Sequence, residues 1–388
     1  MTGTMAATSE APPSASWTRL RTACLALWIL EGAYFLLGAP AGPLQSDAAN
    51  YWAAGHQFLA GAPLTTIFPP LYPLICALFQ ATLGQGGLLA VQTLLVAGVG
   101  LWFQGWLARR HGGRAAAIFM AGMVLFPVLY VYARFVLTDV WLALALLLFS
   151  AWTADALDGL RGFGWAAGAL VVATALRPEG LVVAVLAAAL VLRTGRSRGA
   201  LQLLAPVLVE TLLWGTYNHL VRGQWVFTEG GFWINLWAGN QPGAYGVMVV
   251  PAQGLGAGVY RHLVLAWMEA HPLALARLVA EKAWYFWMSA PQFIQVLAVQ
   301  AGIVPHLWLD VSRGARDVLD AALVWGLWRL RGAWAGVWPP LVAIAALWAF
   351  TLVFFAMGRF WVDLTPLLLM LVACAAARPA RAGPPRSA

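Results

Sequence analysis

The chain has 388 residues, of which 62% are hydrophobic and 10% are charged, whereas soluble domains carry about 25% charged residues. This composition excludes an ordinary soluble protein, and apolar runs along nearly the whole sequence predict one all-α membrane domain over residues 1–388. The formal net charge is +8, but the basic residues form short clusters between apolar runs, so we expect membrane lipids and not nucleic acid as partners.

The basic clusters predict the topology, because cytoplasmic loops are enriched in arginine and lysine. They are Arg19/Arg21, Arg109/Arg110/Arg114, Arg193/Arg196/Arg198, Arg329/Arg331 and Arg378/Arg381/Arg386. Placing all of them inside gives about ten transmembrane helices in a bacterial cytoplasmic membrane, or up to twelve if residues 71–83 and 283–309 also cross. The predicted cytoplasmic tails are residues 1–20 and 379–388. The two predicted long outer loops are residues 40–86 and 221–313.

The first outer loop begins with a predicted amphipathic helix. Asp47 begins a polar stripe that continues through Asn50 and Gln57, and the opposite side is mostly apolar. Gly61 ends this helix, and the proline-rich segment 68–73 returns the chain to the membrane. An acid therefore begins the polar edge of a helix that suits the membrane interface.

Several charged residues border the predicted spans on the outer face. Charge at membrane depth is unfavourable unless it is paired or faces water, so such residues are functional candidates. The candidates nearest the spans are Asp47, Asp139, Arg134, Arg177, Lys282 and Arg359. Glu179 and Asp363 fall on the same face without an assigned role. Others are interpreted as ordinary loop charges, namely Arg222, Glu229, Arg261 and Glu269.

Short motifs follow one another in chain order over roughly residues 20–378. They are Asp47 with Pro69-Pro70-Leu71-Tyr72-Pro73, Arg134-Phe135-Val136-Leu137-Thr138-Asp139, Leu176-Arg177-Pro178-Glu179-Gly180, Gly239-Asn240-Gln241-Pro242-Gly243-Ala244-Tyr245-Gly246, Lys282-Ala283-Trp284 and Gly358-Arg359-Phe360. This ordered set resembles the GT-C glycosyltransferases. It is most similar to the family 39-like branch that includes protein O-mannosyltransferases and the aminoarabinose transferase acting on lipid A.

The resemblance implies a GT-C-like fold and an inverting transfer of a hexosyl or pentosyl group. The donor would be a polyprenyl-phosphate sugar, and the acceptor a hydroxyl of a protein, lipid or glycan. A carboxylate is needed as general base, and cations are needed at the leaving phosphate. The predicted catalytic acids are Asp47 and Asp139. The predicted phosphate-binding cations are Arg134, Arg177, Lys282 and Arg359. The predicted sugar- or acceptor-binding residues are Asn50, Tyr51, Tyr72 and Asn240.

No cofactor is expected beyond the donor lipid. The first motif contains one acid where some relatives contain a pair, so a metal-dependent mechanism is in doubt, although a divalent metal stays open. Three alternatives also stay open: a transporter or flippase of lipid-linked glycans, an O-antigen ligase-like transferase, and a polyprenyl-phosphomannose-dependent enzyme that makes a lipoglycan. The sequence contains no internal repeat typical of transporters, and the acid in the first loop favours the transferase.

Overall fold

The computed structural model describes residues 15–64, 68–249, 255–288, 293–332, 334–357 and 359–378. These ranges form helices and connecting loops, with one isolated parallel bridge between Val247 and Ala356. The helices are α1 (Ala15–Leu37), α2 (Asp47–Leu59), α3 (Leu71–Ala81), α4 (Gly84–Leu125), α5 (Val128–Tyr132), α6 (Asp139–Leu157), α7 (Gly164–Leu176), α8 (Glu179–Arg193), α9 (Ser197–Arg222), α10 (Phe232–Asn240), α11 (Ala257–Ala270), α12 (Pro272–Met288), α13 (Phe293–Gln300), α14 (Leu307–Leu330), α15 (Trp334–Val353) and α16 (Phe360–Ala377).

Five described helices are long and apolar enough to cross a membrane, namely α1, α4, α6, α9 and α16. A sixth span results if α11 and α12, which meet at an angle of 104°, cross as one broken element. The predicted all-α membrane architecture is therefore confirmed at this level. The finer prediction of ten to twelve spans remains a prediction.

Helix α4 contains a chain reversal within its 42 residues. Gly112 has a φ of 84°, a backbone conformation that glycine adopts without a steric penalty. The rings of Phe103 and Phe119 lie 4.9 Å apart between centroids, although sixteen residues of straight helix would separate them by about 24 Å. The chain therefore folds back at Gly112, next to the predicted arginine cluster at residues 109–114.

Helices α7 and α8 form a short pair joined at Arg177 and Pro178. With 13 and 15 residues, they extend about 20 and 22 Å, which is less than the roughly 30 Å of membrane hydrocarbon. Gly180 permits the tight turn, because a Cβ there would collide with the backbone of Ala173 and Thr174. The turn consequently places Arg177 and Glu179 inside the protein, where both are buried.

Helices α6 and α16 occupy the centre of the bundle. Within their most apolar windows, 78% of α6 and 83% of α16 is buried, against 22% of α1. The two helices pack against each other, and α16 also packs against α4 and α14. Acids at the starts of α6 and α16 are therefore enclosed by protein.

Candidate functional site

Four helices begin close together, and each carries an acid in its first turn. The acids are Asp47 in α2, Asp139 in α6, Glu179 in α8 and Asp363 in α16. The amino terminus of a helix carries partial positive charge, which favours a carboxylate. Together with Arg177 and Arg359, these four acids form what we call the ionic cluster.

Arg359 joins the first loop to the centre of the bundle. Its Nη1 donates a hydrogen bond to Asp47 Oδ2 at 2.5 Å, and its Nε lies 3.2 Å from Asp139 Oδ1. One guanidinium thus bridges the start of α2 and the start of α6. The predicted residues Asp47, Asp139 and Arg359 are therefore brought together.

Arg177 pairs with three acids on the inner side of the ionic cluster. Its Nη1 lies 3.2 Å from Asp363 Oδ2 and 3.4 Å from Asp139 Oδ1. Its Nη2 donates a hydrogen bond to Glu179 Oε1 at 2.5 Å. Asp139 contacts both arginines through the same oxygen, so it connects the two halves of the cluster.

Carboxylates outnumber guanidinium groups in the ionic cluster. Four acids and two arginines leave two formal negative charges in excess if every acid is ionised. One oxygen each of Asp139, Glu179 and Asp363 is buried without a hydrogen-bond partner. The cluster can therefore accept a further hydrogen-bond donor or cation. Among the described residues, no group of three or more His, Cys, Asp or Glu is arranged to hold a metal ion.

Asp47 is the accessible member of the cluster. Its side chain is 31% exposed, compared with 13% for Arg359 and 0% for Asp139 and Asp363. Helix α2 begins at Asp47, with Ser46 at the N-cap position and no side-chain capping hydrogen bond. The Asp47 carboxylate is thus paired with Arg359, does not cap its own helix, and is the most exposed side chain of the cluster.

Buried aromatic rings pack beneath the start of α2. Tyr51 and Tyr72 are buried, their ring centroids lie 5.0 Å apart, and the Tyr72 hydroxyl donates to Gln92 Oε1 at 2.7 Å. Burial is the main cause that raises the pKa of the Tyr51 hydroxyl above its usual range. Asn50 is exposed. Of the predicted sugar- or acceptor-binding residues on this loop, Asn50 is open to solvent, whereas the two tyrosines lie beneath the helix.

Arg134 stabilises the entry to the first long loop. Its Nη2 donates to the carbonyl of Ala39 at 2.8 Å and its Nε to that of Pro40 at 3.1 Å. The Gly42 amide donates in return to the Arg134 carbonyl at 2.7 Å. The described contacts of this predicted phosphate-binding cation are therefore with backbone and not with the acids of the cluster.

Lys282 belongs to a separate polar group, which we call the lysine centre. Its Nζ donates to Asn240 Oδ1 at 2.7 Å, to Leu352 O at 3.3 Å and to Val353 O at 3.2 Å. Asn240 in turn donates to Val353 O at 3.0 Å. Lys282 and Asn240, both completely buried, join α12 and α10 to the end of α15. Their described contacts do not include the ionic cluster.

The second long loop contacts the segment that precedes Arg359. The Ala356 amide donates to the Gly246 carbonyl at 2.9 Å, next to the bridge between Val247 and Ala356. The backbone at Gly239 lies against the Phe354 carbonyl so closely that a Cβ would overlap it. The loop thus adjoins the chain that leads to the arginine of the cluster.

The pKa of Glu229 is affected by the charges of the ionic cluster, although the sequence indicated that Glu229 is an ordinary loop charge. Its Oε1 accepts a hydrogen bond from Asn235 Nδ2 at 2.5 Å. Burial and, next, repulsion from Glu179 raise the pKa of Glu229 to about 7. It is thus a titratable group beside the cluster.

Sequence reasoning grouped Glu179 and Asp363 on the same predicted face as Asp47 and Asp139 but gave them no role. The signal that could have identified them is an acid in the first turn of a helix that borders an arginine.

No protein-family model, curated protein or solved structure matches this chain.

Proposed function

We propose that this chain is a GT-C-like membrane glycosyltransferase. It transfers a sugar from a polyprenyl-phosphate donor to a hydroxyl acceptor on the outer face of the cytoplasmic membrane, with about ten spans and cytoplasmic termini. One observation carries the proposal: Asp47 is the exposed end of an otherwise buried ionic cluster and is paired with Arg359. An accessible carboxylate beside a preorganised guanidinium supplies the base and the phosphate-binding group that this reaction needs.

The proposed reaction is a single displacement. The donor phosphate attracts Arg359, because guanidinium groups bind phosphate through paired donors, and this competition frees the Asp47 carboxylate. Asp47 then takes the acceptor's proton while the acceptor oxygen bonds to the anomeric carbon. The bond from that carbon to the phosphate oxygen breaks, and polyprenyl phosphate leaves with its negative charge facing Arg359. Attack opposite the leaving group inverts the anomeric centre.

The other predicted cations have supporting places in this proposal. Arg177 holds Asp139 and so fixes the position of Arg359. Arg134 and Lys282 donate to backbone carbonyls and keep the two long loops in place. Direct contact with the donor phosphate is assigned to Arg359, and contact of the other three remains a prediction that substitution can test.

The decisive experiment measures the products of purified protein in lipid nanodiscs. Defined polyprenyl-phosphate sugars and candidate hydroxyl acceptors are supplied, and release of polyprenyl phosphate is followed together with glycosylation of the acceptor. The proposal expects both products from the native protein and at least about 100-fold slower formation of both by Asp47→Asn. Asp310→Asn is the matched control, because Asp310 is an exposed acid that is expected to leave turnover unchanged.

The same protein in sealed vesicles distinguishes the competing functions. Movement of intact lipid-linked sugar across the bilayer without release of polyprenyl phosphate would identify a transporter or flippase and overturn the proposal. Release confined to polyprenyl-diphosphate-linked glycans would favour an O-antigen ligase-like enzyme. Orientation is tested separately with Arg114→Cys, at an exposed position of the same arginine cluster, in a chain without the three native cysteines; it should react with a membrane-impermeant thiol reagent only after the cells are opened.

A further inference from the structure

A basic pocket lies at the opposite end of α6 from the ionic cluster, about 28 Å along that 19-residue helix. Its volume is about 470 Å³, and it is lined by the loops after α6 and α8 together with the start of α9. Arg161, Arg196 and Arg198 are among the residues that line it, whereas none of the described lining residues is acidic. We call this depression the arginine pocket.

Contacts with α6 hold two of these arginines in place. The Arg196 Nη1 donates to Leu157 O at 2.7 Å and to Ala156 O at 3.3 Å, at the end of α6. The Arg161 Nε lies 3.2 Å from Asp155 Oδ2, and this acid also pairs with Arg110. The arginines around the pocket therefore outnumber the acid that pairs with them, and the side chains of Arg161 and Arg196 are held in position before any ligand binds.

The start of α9 adds hydrogen-bond donors to the arginine pocket. Arg196 is the N-cap residue of this 26-residue helix, and no side chain caps its first amides. Ser197, Arg198 and Gly199 line the pocket at this first turn. Free amides at a helix start favour a phosphate, and exposed Arg198 adds a full positive charge beside them.

An apolar groove continues from the arginine pocket between α7 and α9. Its volume is about 510 Å³, and Gln202 lines both depressions. Small residues on α7 leave the space open: a Cβ at Gly164 or Gly168 would meet no atom within 4 Å. The other lining residues are Ala167, Leu201, Ala205 and Pro206. The groove thus offers an apolar channel that begins at a cluster of positive charge.

Trp165 indicates how deep this end of α7 lies in the membrane, next in sequence to Gly164 of the groove. It lies in the first turn of α7 and is 64% exposed, and its ring packs 5.6 Å from that of Trp152. Exposed tryptophan beside arginine is typical of the level of lipid headgroups. The arginine pocket then lies at headgroup level, and the groove extends towards the acyl chains.

We infer that these two depressions together bind one anionic phospholipid. Its phosphate contacts Arg161, Arg198 and the first amides of α9, and one acyl chain lies along the groove. Basic pockets between membrane helices recognise anionic headgroups in this way. The groove is what favours a lipid, because free phosphate would occupy only the arginine pocket. This inference does not depend on the proposed transferase activity.

Lipid binding is measured on the full chain in an uncharged detergent. Native mass spectrometry counts the phosphatidylglycerol retained at increasing lipid concentration, with phosphatidylcholine, glycerol 3-phosphate and inorganic phosphate as comparison probes. We expect one tightly retained phosphatidylglycerol, weaker phosphatidylcholine, and no competition from the two soluble phosphates. Arg198→Gln should weaken phosphatidylglycerol binding about fivefold, the effect expected for one basic residue near an anionic headgroup.

Two pairs of variants separate the pocket and the groove from general effects. Arg193→Gln removes an exposed arginine nearby that does not line the pocket, and Gly98→Leu adds bulk at another open helical glycine. Both controls should bind phosphatidylglycerol normally, whereas Gly168→Leu should fill the groove and abolish retention. A monodisperse gel-filtration peak and an unchanged helical spectrum establish that each variant is folded.

Three outcomes would overturn the inference. Equal weakening by Arg193→Gln and Arg198→Gln would indicate unspecific attraction to a basic surface. Normal binding to folded Gly168→Leu would remove the groove from the site. Full competition by glycerol 3-phosphate would identify a site for a soluble phosphate and not for a lipid.

Discussion

The ionic cluster and the lysine centre both bury positive charge, but they satisfy it in different ways. Arg359 pairs with carboxylates, one of which is partly exposed. Lys282 donates to a side-chain amide oxygen and two backbone carbonyls, and it is completely buried. A charge opposite other charges can exchange partners when an anion arrives, whereas a charge bound by neutral acceptors has no such partner to exchange. Under the proposed function, the comparison assigns a reactive role to Arg359 and a structural role to Lys282.

The largest expected effect is on the exposed end of the ionic cluster. Asp47→Asn keeps the size and polarity of the side chain but cannot take a proton, so we expect turnover to fall about 10²- to 10⁴-fold. Donor binding and the melting temperature should change little, because asparagine still accepts a hydrogen bond from Arg359. Steady-state release of polyprenyl phosphate provides the measurement. Turnover near that of the native protein would remove Asp47 as the base and make Asp139 the next candidate.

Loss of the inner arginine should destabilise the protein. Arg177→Gln leaves Asp139, Glu179 and Asp363 without their shared cation, and breaking a buried ion pair costs about 3–5 kcal/mol. We expect a marked fall in the apparent melting temperature in detergent. The double variant Arg177→Gln/Asp363→Asn removes one of the uncompensated acids and should recover part of the loss. A double variant no more stable than Arg177→Gln alone would mean that Asp363 is not ionised beside Arg177.

Substitution in the lysine centre should lower the stability of the fold and leave kcat nearly unchanged. Lys282→Met retains most of the side-chain volume but leaves Asn240 and two carbonyls without this donor, which costs about 1–3 kcal/mol. We expect a lower apparent melting temperature, with kcat of the remaining folded protein within about twofold of the native value. A drop in kcat as large as that of Arg359→Gln, about 2–4 kcal/mol of transition-state stabilisation, would return Lys282 to the phosphate site.

The smallest effect concerns Glu229, whose pKa rises from 4.5 to about 7 in the folded protein. Its protonated form favours folding, so this contribution is fully present below about pH 4.5 and is lost as the pH rises through 7. Glu229→Gln stays neutral and should raise the apparent melting temperature at pH 8 but not at pH 4.5. The exposed acid Glu269 provides the control, because Glu269→Gln should change neither value. A gain at pH 4.5 equal to that at pH 8 would contradict the assigned titration.

Sequence reasoning predicted the helical membrane architecture because long apolar runs have few other solutions. It also selected four of the six members of the ionic cluster, namely Asp47, Asp139, Arg177 and Arg359. Asp47 and Asp139 stand at the starts of helices, a position that local sequence indicates. Their association with a residue more than 200 positions away depends on how α2, α6 and α16 pack.

The partners of Arg134 and Lys282 could not be predicted in the same way. Both are cations beside apolar segments, as Arg359 is, and the sequence assigned all of them to phosphate. The acceptors of Arg134 and two of the three acceptors of Lys282 are backbone carbonyls. Every residue carries a carbonyl, so the sequence does not mark which one will be left without a helical partner.

Two contacts join the second long loop to the segment before Arg359. Gly239 lies against Phe354, and Val247 forms a bridge with Ala356. Phe354 and Ala356 precede Arg359 by five and three residues in the sequence. Under the proposed function, we expect movement of the loop to change the position of that guanidinium. An acceptor that bound the loop could thereby release Asp47 from its ion pair without touching either residue. Under the proposed transferase function, acceptor recognition and activation of the base would then be a single event, which would protect the donor against wasteful hydrolysis.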